Sequence, residues 1–364
     1  MRALLLLAAL GALGCDGSSA LDAGSAVDAA ALDGGSFDAA SRDAATTDAG
    51  GTDGGGTDGG ATDAGATSIC PPGSESLVLD LGGASLAPVA GVPIRDGFVT
   101  GFEIVEGPVW ARGALYVSHF GSGPAPASRI YRVAPDGSVA VAAPNAGVNG
   151  LALGPDGRLY GGRHLDGTVS VFDWDDLAAD PTPVVEAYMG ARFDSPNDLV
   201  LRSDGTIYFT DPAWQSPVPE PQAARRAYRV APDGTIEAIP GTPDRPNGIA
   251  LTRDERALFV TGTDGLRRYD LNADGTLASA AMNVPAVSGG LDGLGLDCAG
   301  NLYVAGGDAV TVLDPSLTEI GVLPAPGATN VAFGGDDRRT LYVTALGASA
   351  GLSSVTLNVP GYPH

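Results

Sequence analysis

The feature that most constrains this chain is a motif that recurs six times between residues 106 and 343. The blocks are EGPVWARGALYV, NGLALGPDGRLYG, NDLVLRSDGTIYF, NGIALTRDERALFV, DGLGLDCAGNLYV and NVAFGGDDRRTLYV. Each opens on a polar residue, runs through a short apolar alternation, turns, and resumes as a second apolar stretch ending near an aromatic. Alternation with period two marks strands, and Asp-Gly between strands marks tight hairpins. A third strand and turn follow in places, as in IYRVAPDG (130–137) and AYRVAPDG (227–234). The blocks recur every 40–50 residues or so, the length of a four-stranded propeller blade. The sequence therefore predicts an all-β fold, a six-bladed β-propeller of four-stranded blades. The strand-like stretch at 75–104 is expected to complete the last blade and close the ring. A β-sandwich gives no reason for one motif to recur six times.

Aligning the blocks on their aromatics brings the opening residues into register. Glu106 lies ten residues before Tyr116; Asn149, Asn197 and Asp292 lie eleven before Tyr160, Tyr208 and Tyr303; Asn247 and Asn330 lie twelve before Phe259 and Tyr342. Equivalent positions in a propeller form a ring about its axis. If these positions are the mouth of the innermost strands, six oxygen-bearing side chains converge there, two of them carboxylates. Such a set suits a hard divalent cation: calcium first, since it accepts six to eight mixed oxygens, then magnesium, then zinc. The competing reading is that Asn-Gly and Asp-Gly are ordinary turn pairs. Glu106 is not a turn residue, which favours the ring.

At these residues the sequence resembles the gluconolactonase and senescence-marker-protein (regucalcin-like) family. The likeness lies in EGPVW (106–110), SPNDLVLRSDGTIYFTDP (195–212), RPNGIAL (245–251), LDGLGLD (291–297) and TNVAFGGDDRRTLYVTA (329–345), and spans about residues 75–358, closest to the bacterial gluconolactonase branch. The resemblance implies one catalytic divalent metal, with Glu106, Asn247 and Asp292 as protein ligands. It implies that Asn197 binds the metal or touches substrate beside it. Asp292 also matches the general base or nucleophile, a role for which a metal-bound water is the alternative while the metal polarises the carbonyl, and Asn149 and His164 match pocket-lining positions. The implied activity is hydrolysis of a lactone or related ester, with a small-molecule substrate and a monomeric protein. Two departures stand out. Ser118-His119-Phe120 replaces a segment that often carries Asp, and Ser195 stands where animal members use a substrate-binding arginine. The other class is a non-catalytic calcium-binding propeller acting as a surface binding module. No G-x-S-x-G elbow occurs, which disfavours a serine hydrolase.

The first seventy residues read differently. Residues 1–14, MRALLLLAALGALG, carry one positive charge and an apolar run too short to span a membrane, as an export signal does. Ala12-Leu13-Gly14-Cys15 resembles the cleavage box of bacterial lipoproteins with its first two residues exchanged, so Cys15 is expected to carry lipid. The alternative is an ordinary signal peptide cut nearby. From Asp28 to Asp63 an aspartate recurs every fifth residue among Ala, Gly, Ser and Thr, a composition that cannot bury a core. The expected organisation is a lipoprotein-type signal (1–15), a disordered acidic linker (16–69) and the propeller (70–364). The expected location is the bacterial cell envelope, periplasmic or outer-surface, or secretion if the anchor is absent.

Formal charge and cysteines set limits. At −23 the chain repels nucleic acid, and membrane contact is expected only through the lipid anchor. Its three cysteines make no zinc cluster. With Cys15 lipidated, Cys70 and Cys298 remain as an even pair in an oxidising compartment, where a disulfide from the start of the domain to the fifth blade is expected. The alternative is two separate buried thiols.

Overall fold

A computed structural model describes residues 70–89, 97–216 and 219–362. The signal segment, Cys15 and the acidic linker lie outside the described residues. Six four-stranded antiparallel sheets follow one another along the chain. The first comprises Glu103–Ala111, Ala114–Gly121, Ser128–Val133 and Val139–Ala143. The second and third begin at the inner strands Leu151–Leu153 and Leu199–Leu201, the fourth and fifth at Ile249–Leu251 and Leu294–Leu296. The sixth contains Ala328–Gly334, Thr340–Ala345 and Gly351–Thr356. Its outermost strand, Ala87–Pro88, comes from the N-terminal segment and pairs with Ser354 and Ser353. First and last parts of the domain thus share one blade, which closes the ring.

The packing explains why the motif repeats. Successive residues of a strand face opposite sides of its sheet, so each blade presents one face to the blade before and one to the blade after. Six hydrophobic clusters fill the six interfaces. The repeated aromatic always faces forward. Tyr116 packs into the second blade, Tyr160 into the third, Tyr208 into the fourth, Phe259 into the fifth, Tyr303 into the sixth, and Tyr342 back against the first. Burying such a ring contributes about 2–3 kcal/mol, so each repeat supplies the anchor of its own interface.

The N-terminal segment is tied down along its length. Leu79, Leu81, Ala84 and Leu86 pack against the cluster between the fifth and sixth blades. Asn358 accepts a hydrogen bond from the Asp80 amide at 2.9 Å and donates to the Val78 carbonyl at 2.8 Å. A disulfide joins Cys70 to Cys298, in the first turn of the fifth blade, with Cα atoms 5.6 Å apart.

Candidate active site

In the second to fifth blades a short loop before the innermost strand lies at the propeller axis, and in the first and sixth the strands Glu103–Ala111 and Ala328–Gly334 themselves pass it. Hydrogen bonds from blade to blade close a ring there. Ser118 Oγ donates to the Asn149 carbonyl at 2.6 Å, and the Gly150 amide donates to the Asn197 carbonyl at 2.7 Å. Thr210 Oγ1 and Thr261 Oγ1 donate to the carbonyls of Asn247 and Asp292, each at 2.5 Å. The Gly293 amide donates to the Thr329 carbonyl at 2.6 Å, and Thr329 Oγ1 donates to the Val105 carbonyl at 2.7 Å. Every one of the six interfaces therefore carries a bond at the axis, and these bonds fix where the ring side chains stand.

Strand register corrects one position of the sequence-derived ring. Tyr116, Tyr160, Tyr208, Phe259 and Tyr303 pair with Val109, Ala152, Val200, Ala250 and Gly295, each three residues beyond Glu106, Asn149, Asn197, Asn247 and Asp292. In the sixth blade Tyr342 pairs with Ala332, which makes Thr329 the equivalent residue. The first two strands of this blade pair one step further past the aromatic than those of the second to fifth blades, so counting back from the aromatic stops one short. Asn330 instead occupies the next step down the axis. Its equivalents are Gly107, Gly150, Asp198, Gly248 and Gly293. The hydrogen bonds repeat the equivalence: the Thr344, Thr210 and Thr261 hydroxyls reach the carbonyls of Asn330, Asp198 and Gly248 in turn.

Asp198 is a site residue that counting by aromatics passes over. At this lower step the blades approach too closely for most side chains. A Cβ on Gly150 would lie 2.5 Å from the Asn197 carbonyl oxygen, and one on Gly248 the same distance from that of Asp292. The Asp198 carboxylate accepts the Leu199 amide at 3.0 Å and the Ile249 amide of the next blade at 3.3 Å. The sequence signal was present: the second, third, fourth and fifth blocks open NG, ND, NG and DG.

Glu106, Asp198 and Asp292 form one electrostatic cluster. Glu106 accepts hydrogen bonds from the Gly107 amide at 2.8 Å and Asn330 Nδ2 at 3.2 Å, and it shares a hydrogen bond with Asp292. Burial pushes its pKa up to about 7 against those bonds. Asp198 also rises to about 7, from burial and then from the charge of Glu106. Asp292 keeps some exposure at the mouth, yet enclosure and the charges of Glu106 and Asp198 raise its pKa well above the usual carboxylate value. Packed acids that hold their protons to neutral pH mark a place where a cation would supply missing positive charge. Among the described residues, no three His, Cys, Asp or Glu side chains are grouped as a metal ion requires. A cation here would need mixed donors, carboxylates together with asparagine amides, as calcium tolerates.

The other anticipated residues are distributed around this cluster. Asn197 and Asn149 are buried at the ring, the latter with an Oδ1 that has no hydrogen-bond partner; Asn247 is half-buried. His164 is buried between the first two blades, its Nε2 2.8 Å from the Pro126 carbonyl and its ring against Phe120. Burial lowers its pKa to about 4, so the ring is neutral. The loop that carries Asn197 is held from behind: buried Asp211 accepts the amides of Asp194 and Ser195 at 2.9 and 2.6 Å. Below the cluster lies a small cavity of about 50 Å³, with Asp198 and Asn330 joined by apolar groups such as Leu199, Leu296, Phe333 and Tyr362.

Comparison with known proteins agrees with this architecture. The profile of the family described as SMP-30/Gluconolactonase/LRE-like region matches residues 104–347. A gluconolactonase of Zymomonas mobilis is 29% identical over 275 residues, covering 66% of this chain and 75% of that protein. A pentonolactonase of Haloferax volcanii is 28% identical over 260 residues, covering 68% and 83%. Among solved structures, a gluconolactonase of Xanthomonas campestris is similar, with a TM-score of 0.62 at 27% identity over 76% of this chain and 98% of that one. The calcium-binding protein regucalcin of Agrobacterium tumefaciens shares the fold, with a TM-score of 0.57 at 21% identity over 72% and 92%. The chain belongs to the SMP-30/gluconolactonase/LRE-like family.

Proposed function

We propose that this protein is a lactone hydrolase whose axial site works with one divalent cation, calcium before magnesium or zinc. The observation that carries the reading is the close pairing at the axis of buried Glu106 with Asp292 at the mouth, in a chain similar to gluconolactonases and a pentonolactonase. Glu106, Asn197, Asn247 and Asp292 would hold the cation. When bound, the cation supplies positive charge that polarises a carbonyl and stabilises developing oxyanion charge.

Asp292 takes the proton of the attacking water in this scheme. Its place suits that work: it stands at the mouth of the ring, and the charge of an adjacent cation would keep the carboxylate ionised and able to accept a proton. Water adds to the lactone carbonyl carbon, the ring C–O bond breaks, and the proton passes from Asp292 to the departing alkoxide. Asn149 would line the pocket on the second blade, with the neutral His164 enclosed behind it between the first two blades. Exchanging Asp292→Asn or Glu106→Gln should remove turnover of aldonolactones and simple aryl esters while leaving the unfolding midpoint near that of the parent. Turnover retained in both variants would overturn the assignment.

We further propose that the propeller acts as a monomer at the bacterial cell envelope. Export by residues 1–15, lipid on Cys15 and the acidic spacer 16–69 would hold it off the membrane. The support is the sequence of that segment together with the Cys70–Cys298 disulfide, which fits an oxidising compartment. Mass spectrometry of the envelope fraction for acylated Cys15 tests this. A chain cut at another residue and found in the medium would contradict it.

A further inference from the structure

We propose that Asp198 and Asn330 form a floor across the propeller axis and act as positioning residues for the ring above them. The proposal rests on the reading of that ring as a cation-holding lactonase centre. Four of the six equivalent positions are glycine, and the third and sixth blades alone place side chains there. Those two blades are opposite one another in a ring of six, so their side chains meet across the axis.

The hydrogen bonds give this pair a definite task. The Val331 amide donates to Asn330 Oδ1 at 2.8 Å, which turns Nδ2 toward the carboxylates. Nδ2 then donates to Glu106 at 3.2 Å, and the Asn330 side chain lies beside the Asp198 carboxylate at the head of the axial cavity. Asp198 is itself clamped to two blades through the amides of Leu199 and Ile249. One asparagine amide thus stands between a fixed carboxylate below and a ring carboxylate above, bonded to the latter. Below the pair the axial cavity turns to Leu, Phe and Tyr side chains. The floor holds Glu106 at the mouth and separates the polar ring from the apolar shaft. Neither residue needs to touch substrate.

Calcium titration calorimetry on the full chain of the parent and of Asn330→Ala, Asp198→Asn and the double variant tests this, alongside thermal midpoints and kcat and KM at saturating calcium. Each single change should raise the calcium Kd about tenfold, the size of one lost charge-assisted hydrogen bond, with a smaller change in lactone KM. The double variant should bind no more than about threefold worse than the weaker single one, because both act through one link. A calcium Kd within twofold of the parent in every variant, with only the midpoint lowered, would reduce the pair to packing and overturn the proposal. So would single effects that multiply. If Asp198→Asn fails to fold, Asn330→Gly, which installs the residue most other blades carry, decides alone. A folded parent that binds neither calcium nor magnesium also overturns it; lactone turnover persisting in chelator would then leave the hydrolase reading standing without it.

Discussion

At the residue scale, three acids, Glu106, Asp198 and Asp292, share one enclosed place at the axis. Without a cation, Glu106 and Asp198 keep their protons to about pH 7 in the fold, whereas in the unfolded chain they release them near pH 4. Between those values the folded state binds more protons than the unfolded one, so stability falls as pH rises through the window. Buried Asp211, also raised to about 7, adds to the same trend. The exposed turn aspartates Asp136, Asp233, Asp274 and Asp314 are shifted downward and act only in more acid solution. The chelated protein should therefore show a falling unfolding midpoint from pH 4.5 to 7.5, and calcium should flatten the profile. A midpoint that rises over this range without cation would contradict the clustering. Sequence alone reached Glu106 and Asp292, because an acid breaks the run of turn-like asparagines. It missed Asp198, because Asn-Asp reads like another Asn-Gly turn until the close approach of the blades explains why glycine is the rule.

At the scale of the element, the blade motif was legible because one physical requirement repeats: each blade needs an aromatic facing forward into the next. The reach of a hairpin past its aromatic is under no such constraint, and the extra strand pair of the sixth blade moves its ring position from Asn330 to Thr329. The loops behind the ring yield two predictions. Asp211→Ala leaves the Asp194 and Ser195 amides without acceptors and should cost about 1–3 kcal/mol in denaturant unfolding. It should also raise lactone KM by loosening the loop that carries Asn197. Gly248→Ala drives a Cβ to 2.5 Å from the Asp292 carbonyl oxygen, so that backbone must move. Turnover should drop by at least about tenfold even where the domain still folds, since small misplacements of reacting groups are costly. Full activity in Gly248→Ala would show that the ring is not held as tightly as these contacts indicate.

On the scale of the whole molecule, closure depends on the N-terminal segment. It supplies the outer strand of the sixth blade, covers the cluster between the fifth and sixth blades, and is bolted to the fifth by Cys70–Cys298. The sequence marked the strand-like stretch and the even cysteine pair, but a strand of two residues, Ala87–Pro88, is too short to be located by periodicity. A disulfide closing so long a loop contributes on the order of 2–5 kcal/mol. Cys298→Ser, or mild reduction, should lower the unfolding midpoint by several degrees, read by calorimetry, without changing the rate per folded molecule. Loss of rate in proportion to folded protein fits this account; a specific loss in fully folded protein does not.

The central claim is that the axial acids and amides, with a cation, open lactones. The most direct test is pH-stat measurement of acid release from D-glucono-δ-lactone by purified, chelator-treated protein, before and after calcium is added back. Hydrolysis above the spontaneous rate is expected with calcium, with its loss in chelator and its absence in Asp292→Asn at any calcium concentration. Folded parent protein with no rate above background on this lactone or on a pentonolactone, with calcium, magnesium or zinc, would contradict it.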